Sequence, residues 1–285
     1  VSVPIEGGTL YVVATPIGNL GDVTLRALDV LRAVPLIAAE DTRIARRLLT
    51  RYEIPTRTSS YHAQSDPGRL AALLAHLRGG ADLALVTDAG TPGVSDPGQE
   101  LVAAWSAEGG RVVPIPGASA VLAAVVASGI AGPRWGFEGF LPRRGRERRA
   151  RLARIAFDDR STVIYEAANR LATTLGDLAV ACGTERRGAV CRELTKLHEQ
   201  IVRGTLSELE AAVRDGTIPA RGEVALVIGP ADELAAAEAT PGAPALEAAL
   251  LAVDGLVAGG LGRAEAARRV AAETGLPRRA LYRVK

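Results

Sequence analysis

The thirteen residues Val86-Thr-Asp-Ala-Gly-Thr-Pro-Gly-Val-Ser-Asp-Pro-Gly98 alternate glycine and proline in a way suited to holding a ligand by the backbone. Such a run reaches backbone angles closed to other residues and can turn its N–H groups towards a bound molecule. Taken alone, it is equally an ordinary tight turn between a strand and a helix. Two further segments tip the balance: Thr15-Pro-Ile-Gly-Asn-Leu-Gly21 and Pro116-Gly-Ala-Ser-Ala120. Each of the three follows a short apolar run and precedes a helical pattern. In an open parallel sheet, loops at the carboxyl ends of the strands share one edge, where such sheets bind small ligands. Three loops of this kind in the first half of the chain predict one crevice.

The elements that must position these loops alternate regularly. Strands are predicted over 9–14, 35–39, 56–60, 83–88 and 111–115, with helices over 23–33, 42–51, 67–78, 97–107 and 118–128. Asp66-Pro67 and Asp96-Pro97 both read as an N-cap followed by proline at the first helical position. Gly129-Ile-Ala-Gly-Pro133 is a natural hinge, so the first lobe is expected to span residues 1–131. A second lobe over 132–230 reads as strand 136–140, helix 145–156, strand 161–166, helix 169–181, strand 187–192, helix 207–214 and strand 222–229. The near-continuous apolar run Glu223-Val-Ala-Leu-Val-Ile228 suits a strand buried on both faces. Residues 231–245 are rich in alanine and proline and read as a linker. Helices 246–258 and 263–274 and a last helix from Pro277 complete the chain, the turn at Gly275-Leu-Pro277 having a helix-turn-helix manner. The expected fold class is α/β, two-lobed, with a small helical appendage over 246–285.

At 285 residues the chain can hold more than one core. No apolar run is long enough to cross a bilayer and the start shows no charged region followed by an apolar core, so a cytoplasmic protein without a membrane partner is expected. Cys182 and Cys191 form no CxxC pair, and His62, His76 and His198 are scattered, so no metal is expected. A net charge of +2 conceals a clustered distribution. Lysine occurs only at 196 and 285, and arginine concentrates in Arg143-Arg-Gly-Arg-Glu-Arg-Arg-Ala-Arg151 and again after Arg263. A localised polyanion contact and a solvated arginine-rich helix face both fit this pattern. The C-terminal helices likewise read either as a cap on the second lobe or as a nucleic-acid contact.

Several motifs together resemble the tetrapyrrole-methylase-like methyltransferases: GTLYVVATPIGNLGDVTLRAL, AEDTR (39–43), VTDAGTPGVSDPG, PIPGASA and GFLPRRG. More narrowly, they are similar to the bacterial subfamily that 2′-O-methylates a cytidine in small-subunit (16S) ribosomal RNA. The resemblance runs from about Gly8 to Pro230, and the C-terminal helices resemble that subfamily's appendage. It implies S-adenosylmethionine as methyl donor, a cofactor cleft between two lobes, ribosomal RNA or the assembled 30S subunit as partner, and a homodimer. Carried over motif by motif, the cofactor contacts fall on Pro16 and Ile17, on Asp88, Ala89, Gly90 and Val94, and on Ala118, Ser119 and Ala120. Tyr165, Glu166 and Glu193 would line the opposite wall. One departure stands out: Tyr165-Glu166 is followed by Ala-Ala-Asn-Arg where the family leads one to expect Ser/Ala-Pro-His-Arg, and Asn169 cannot act as a base.

Methyl transfer from a sulfonium is an in-line displacement that depends on alignment. A ribose hydroxyl is a poor nucleophile that gains from a proton acceptor or a polarising neighbour. Glu40-Asp41-Thr42-Arg43 follows a strand on the same sheet edge as the loops. Glu40 or Asp41 is therefore the expected acceptor or orienting group, with Arg43 placing an RNA phosphate through its planar fork; Glu193 and Lys196 stand behind them. The alternative for this motif is an Asp41 N-cap with a helix-surface arginine. Arg143, Arg144, Arg146, Arg148 and Arg149 are the expected RNA contacts. Competing functions are C-methylation of a porphyrin or corrin precursor in the same fold and, from another class, a metabolite-sensing nucleic-acid-binding regulator. A nicotinamide dehydrogenase fits less well, because the first loop reads TPIGNLG and not GxGxxG.

Overall fold

The computed structural model describes residues 7–231, 243–274 and 281. Five short strands, β1 (Leu10–Val13), β2 (Leu36–Ala39), β3 (Thr58–Ser60), β4 (Leu83–Val86) and β5 (Val112–Ile115), form a wholly parallel sheet in the order β3-β2-β4-β1-β5. Crossover helices cover both faces. Leu28 and Leu31 of α1 (Leu25–Ala33) and Leu48 and Leu49 of α2 (Thr42–Arg51) pack on one side. Leu73, Leu74 and Leu77 of α3 (Pro67–Arg78) and Leu101 and Trp105 of α4 (Gln99–Ala107) pack on the other. The neighbouring strands β1 and β4 therefore send their following helices to opposite faces, which opens a crevice at their carboxyl ends.

The second sheet is mixed, in the order β6-β7-β10-β8-β9. It comprises β6 (Trp135–Phe140), β7 (Ser161–Ala167), β8 (Arg187–Arg192), β9 (Gln200–Thr205) and β10 (Glu223–Ile228). Only β6 and β7 pair in parallel. Helices α6 (Arg146–Ala156), α7 (Leu171–Cys182) and α8 (Leu206–Arg214) cover one face. The other face is covered by α5 (Ala120–Ser128), whose Val121 and Ala124 pack with Val163, Ala189, Ala225 and Val227. So the helix that follows the last strand of the first sheet belongs by packing to the second, and the loop between them joins the two.

Strand β9 was not expected. It lies at the sheet edge, with one neighbour, and Gln200-Ile-Val-Arg-Gly-Thr lacks the apolar run of a doubly buried strand. Residues 231–285 form a separate unit in which α9 (Ala243–Ala258) and α10 (Arg263–Thr274) pack through Ala249, Val253, Ala266, Ala267 and Val270, joined by Leu281. Most of the expected linker and the helix expected from Pro277 lie outside the described residues.

Candidate active site

A cavity of about 460 Å³ sits between the carboxyl edge of the first sheet and the second sheet. All three glycine loops reach it, through Ile17, through Asp88, Ala89, Gly90, Val94 and Asp96, and through Ser119 and Ala120. Tyr165, Glu166 and Glu223 of the second sheet and Leu194, just after β8, close it, with Glu40, just after β2. The loops are tied together. Thr15 and Gly90 exchange backbone hydrogen bonds of 2.8 and 3.0 Å, and the buried Thr15 Oγ1 donates to the Thr87 carbonyl at 3.1 Å. The first loop also abuts the second lobe: a Cβ at Gly18 would stand 2.4 Å from Lys196 Cγ, so no larger residue allows this approach. Three of the four non-glycine residues with positive φ among the described residues, Ser95, Glu193 and Thr195, lie in the loops around this cleft, the kind of stored strain that gathers at functional sites.

Carboxylates dominate the chemistry. Glu40 and Asp88 interlock: the Asp88 N–H donates to Glu40 Oε2 at 3.3 Å, and the Asp41 N–H donates to Asp88 Oδ1 at 3.0 Å. Burial raises the Glu40 pKa above the usual carboxylate value, and the Asp88 charge adds to the rise. Asp88 is raised too, by burial and then by Asp41. Asp96 goes furthest, pushed up to about 7 by burial, then by the charges of Glu40 and Asp88. The Thr87 hydroxyl draws it down slightly, but that buried oxygen makes no hydrogen bond of good geometry. The Tyr165 phenol is pushed up to about 12, again by burial first and then by Asp96. A register shift in β6 between Phe137 and Phe140, with Gly139 at φ +63°, sets the half-exposed Phe140 on the cavity wall with its ring 5.6 Å from Tyr165.

Asp96 was expected to cap a helix, and it does not. Gly98, at φ +128°, takes the N-cap position of α4 with no side-chain cap, and the Pro97 carbonyl accepts from Gly93 N–H instead. The Asp96 carboxyl is thereby released to the cavity. Where φ is ordinary, the same dipeptide behaves as read: Asp66 caps α3 and Pro67 follows it.

Other expected site residues are corrected by their partners. Asp41 is the N-cap of α2, accepting from Arg43 N–H at 2.8 Å, and Arg43 clamps the same carboxylate through Nε and Nη2. That pairing lowers the Asp41 pKa to about 2, too acidic for a proton acceptor near neutrality. Glu166 borders the cavity, but its carboxylate accepts from Thr174 Oγ1 at 2.6 Å and from Ala167 N–H, and lies 3.3 Å from Arg170. Glu193 does not line the cavity; its carboxylate accepts from Lys196 Nζ at 3.0 Å and Glu223 N–H at 2.9 Å. Burial would raise its pKa, but these bonds outweigh it and hold the group low. Pro16 and Ala118 also stand outside the wall, Pro16 buried and Ala118 packed in the apolar cluster with Ile17 and Val121. Arg148 is no surface contact: 7% exposed, it donates to Asp177, Thr174 Oγ1 and the Pro142 carbonyl. Arg143, Arg144, Arg146 and Arg149 are exposed and have no carboxylate partner among the described residues. No group of three or more metal-ligating side chains and no helix long and apolar enough to cross a membrane occurs among the described residues.

A parallel sheet joined to a mixed sheet by α5, with a three-loop cavity at the joint, is an arrangement with known counterparts. The family model for tetrapyrrole (corrin/porphyrin) methylases matches residues 9–210. The chain belongs to that family. Among tetrapyrrole methylases of known structure, uroporphyrin-III C-methyltransferase from Thermus thermophilus, complexed with S-adenosylhomocysteine, matches with a TM-score of 0.57 at 20% identity. That match covers 78% of this chain and 97% of the other, a likeness of fold. Sequence relatives extend further. The ribosomal RNA small subunit methyltransferase I of Synechocystis is 49% identical over 280 residues, covering 97% of each chain. The protein of the same name from Xylella fastidiosa is 42% identical over 275 residues, covering 96% of this chain and 98% of its own.

Proposed function

We propose that this tetrapyrrole methylase transfers a methyl group from S-adenosylmethionine to the 2′-hydroxyl of a cytidine in small-subunit ribosomal RNA. The observation that carries the reading is a near-full-length match to relatives named for small-subunit ribosomal RNA methylation. The site suits the donor in size and charge. Its volume lies in the range of small-molecule sites, and Glu40, Asp88 and Asp96 complement a cation. Ala89, Gly90, Ser119 and Ala120 leave room for close approach, and Ile17, Asp88, Val94 and Tyr165 would complete the hold. When bound, S-adenosylmethionine supplies an electrophilic methyl carbon on a sulfonium.

The chain's own residues supply the rest. Asp96, with a pKa of about 7, is the proton acceptor for the ribose hydroxyl. Glu40, held by the Asp88 N–H, is an orienting group and the second choice. The exposed Arg143, Arg144, Arg146 and Arg149 follow Phe140 in sequence and would meet RNA phosphates beside the cavity. A cytoplasmic homodimer is the expected form, checked by light scattering.

The test is incubation with methyl-labelled donor and either small ribosomal subunits or a porphyrin precursor. Label is expected in a 2′-O-methylcytidine of the RNA. Label in the porphyrin, or on a nucleobase instead of a ribose, overturns the reading.

A further inference from the structure

We propose that α2 carries a phosphodiester-binding face that holds single-stranded RNA beside the cavity; the proposal rests on the RNA reading above. At 3.6 residues per turn, Thr42, Arg43, Arg46, Arg47, Thr50 and Arg51 share one half of the helix, and Ile44, Ala45, Leu48 and Leu49 the other. Leu48 and Leu49 are buried in the core of the first sheet, and all four arginines are exposed. A shallow open groove lies among Thr42, Arg43, Arg46, Arg47 and Thr50.

The rest of the chain gives a partial contrast. Several other helices pair an arginine with an acid three or four residues away, as in Arg32–Asp29, Arg151–Glu147, Arg214–Glu210 and Arg269–Glu273, and the unpaired Arg146 and Arg149 of α6 belong to the segment already assigned to RNA. Helix α2 contains no acid at all. Arg43 is held by the Asp41 cap and Arg51 lies 5.6 Å from the Tyr52 ring. Arg46 and Arg47 have no carboxylate partner among the described residues. Arg43 and Arg47, and Arg47 and Arg51, are like-charge neighbours four apart, which weaken a helix. A face that only met water would gain nothing from this arrangement, whereas a polyanion laid along it relieves the repulsion.

Position gives the face its use. Glu40 lines the cavity and Asp41 caps the helix, so the arginines begin three residues beyond the cavity wall. They continue for about 12 Å from Arg43 to Arg51 at 1.5 Å per residue, enough to meet successive phosphates. Guanidinium forks match phosphate oxygens, and the Thr42 and Thr50 hydroxyls in the groove add donors.

The experiment compares the full chain with R46Q/R47Q, using a deproteinised small-subunit ribosomal RNA transcript and assembled small subunits. Two lost contacts, each scaling as about the 0.7 power of salt, should weaken transcript binding about 25-fold at 0.1 M salt and flatten the log–log salt slope by about 1.4. Cofactor affinity should not change, the melting temperature should hold or rise, and R46K/R47K should restore the slope. An unchanged slope, a lower melting temperature, or a loss confined to assembled subunits, which would point to an acidic protein contact, overturns the proposal. A wild-type chain that neither binds nor methylates RNA overturns the parent reading instead.

Discussion

Replacing Asp96 with asparagine isolates the cavity carboxyl whose proton equilibrium falls near neutrality. Its pKa of about 7 arises first from burial and then from Glu40 and Asp88. The distance from an ordinary aspartate near 4 corresponds to about 4 kcal/mol at 1.36 kcal/mol per pKa unit. Asp96 is only partly buried, and solvent screening reduces this to about 1–2 kcal/mol. The folded chain holds the Asp96 proton more tightly than the unfolded chain does. The destabilisation is therefore absent below pH 4, grows between pH 4 and 7, and is complete above 7. D96N removes it, and should melt a few degrees above the wild type at pH 8 and level with it at pH 4. Methylation should move the opposite way, falling about 10²- to 10⁴-fold with the loss of a proton acceptor. The wild-type kcat/KM should rise through an inflection near pH 7 that D96N lacks. Two results would refute the reasoning: retained turnover in D96N, or a melting difference that stays constant from pH 4 to 8.

Asp41→Asn keeps an N-cap and removes a group already ionised above pH 2, so the inflection near pH 7 should stay in place; a shifted inflection in the pH–rate profile would return Asp41 to the chemistry. Arg148→Met should cost about 2–3 kcal/mol in urea unfolding, because Thr174 Oγ1 and the Pro142 carbonyl lose a buried donor. R143A/R144A should leave the unfolding midpoint unchanged and weaken RNA binding with a shallower salt slope. Gly98→Ala places a Cβ 2.7 Å from Leu85 Cδ2 at φ +128°, and should cost about 1–3 kcal/mol in thermal stability.

How much of this was legible from sequence depended on whether one residue's surroundings decide its role. The parallel sheet was legible because its central strands are short apolar runs bounded by glycine and proline, and the convergence of the loops followed from strand direction alone. The edge strand β9 was not, because one open side removes the need for the apolar run that marks a buried strand. Arg148 looked like its neighbours because a helix repeats every 3.6 residues, and only the packing of α6 on α7 turns that one guanidinium inward, to Asp177 and Thr174. Asp96 was hidden by a local signal that was correct at Asp66. The difference lies in Gly98, whose backbone conformation starts the helix two residues later than the Asp-Pro pair suggests.

Asp96 also explains why a near-neutral chain would bind a polyanion in one register. The carboxylates of Glu40, Asp88 and Asp96 gather in the cavity, while arginines occupy α2 and the segment after Phe140. A backbone phosphate brought within 6 Å of one ionised carboxylate meets about 3 kcal/mol of repulsion at an effective dielectric of 20, a factor of about 100 in occupancy. On the proposed reading, RNA can then enter only with its phosphates on the arginines and a neutral ribose edge towards Asp96. Burial first, and then the same repulsion among the carboxylates, raises the pKa of Asp96. Charge separation would thus do two jobs at once, excluding the wrong part of the strand and preparing the acceptor for the right one. Weakening it by Glu40→Gln should lower the inflection near pH 7 while making the enzyme less selective between RNA and shorter anionic competitors.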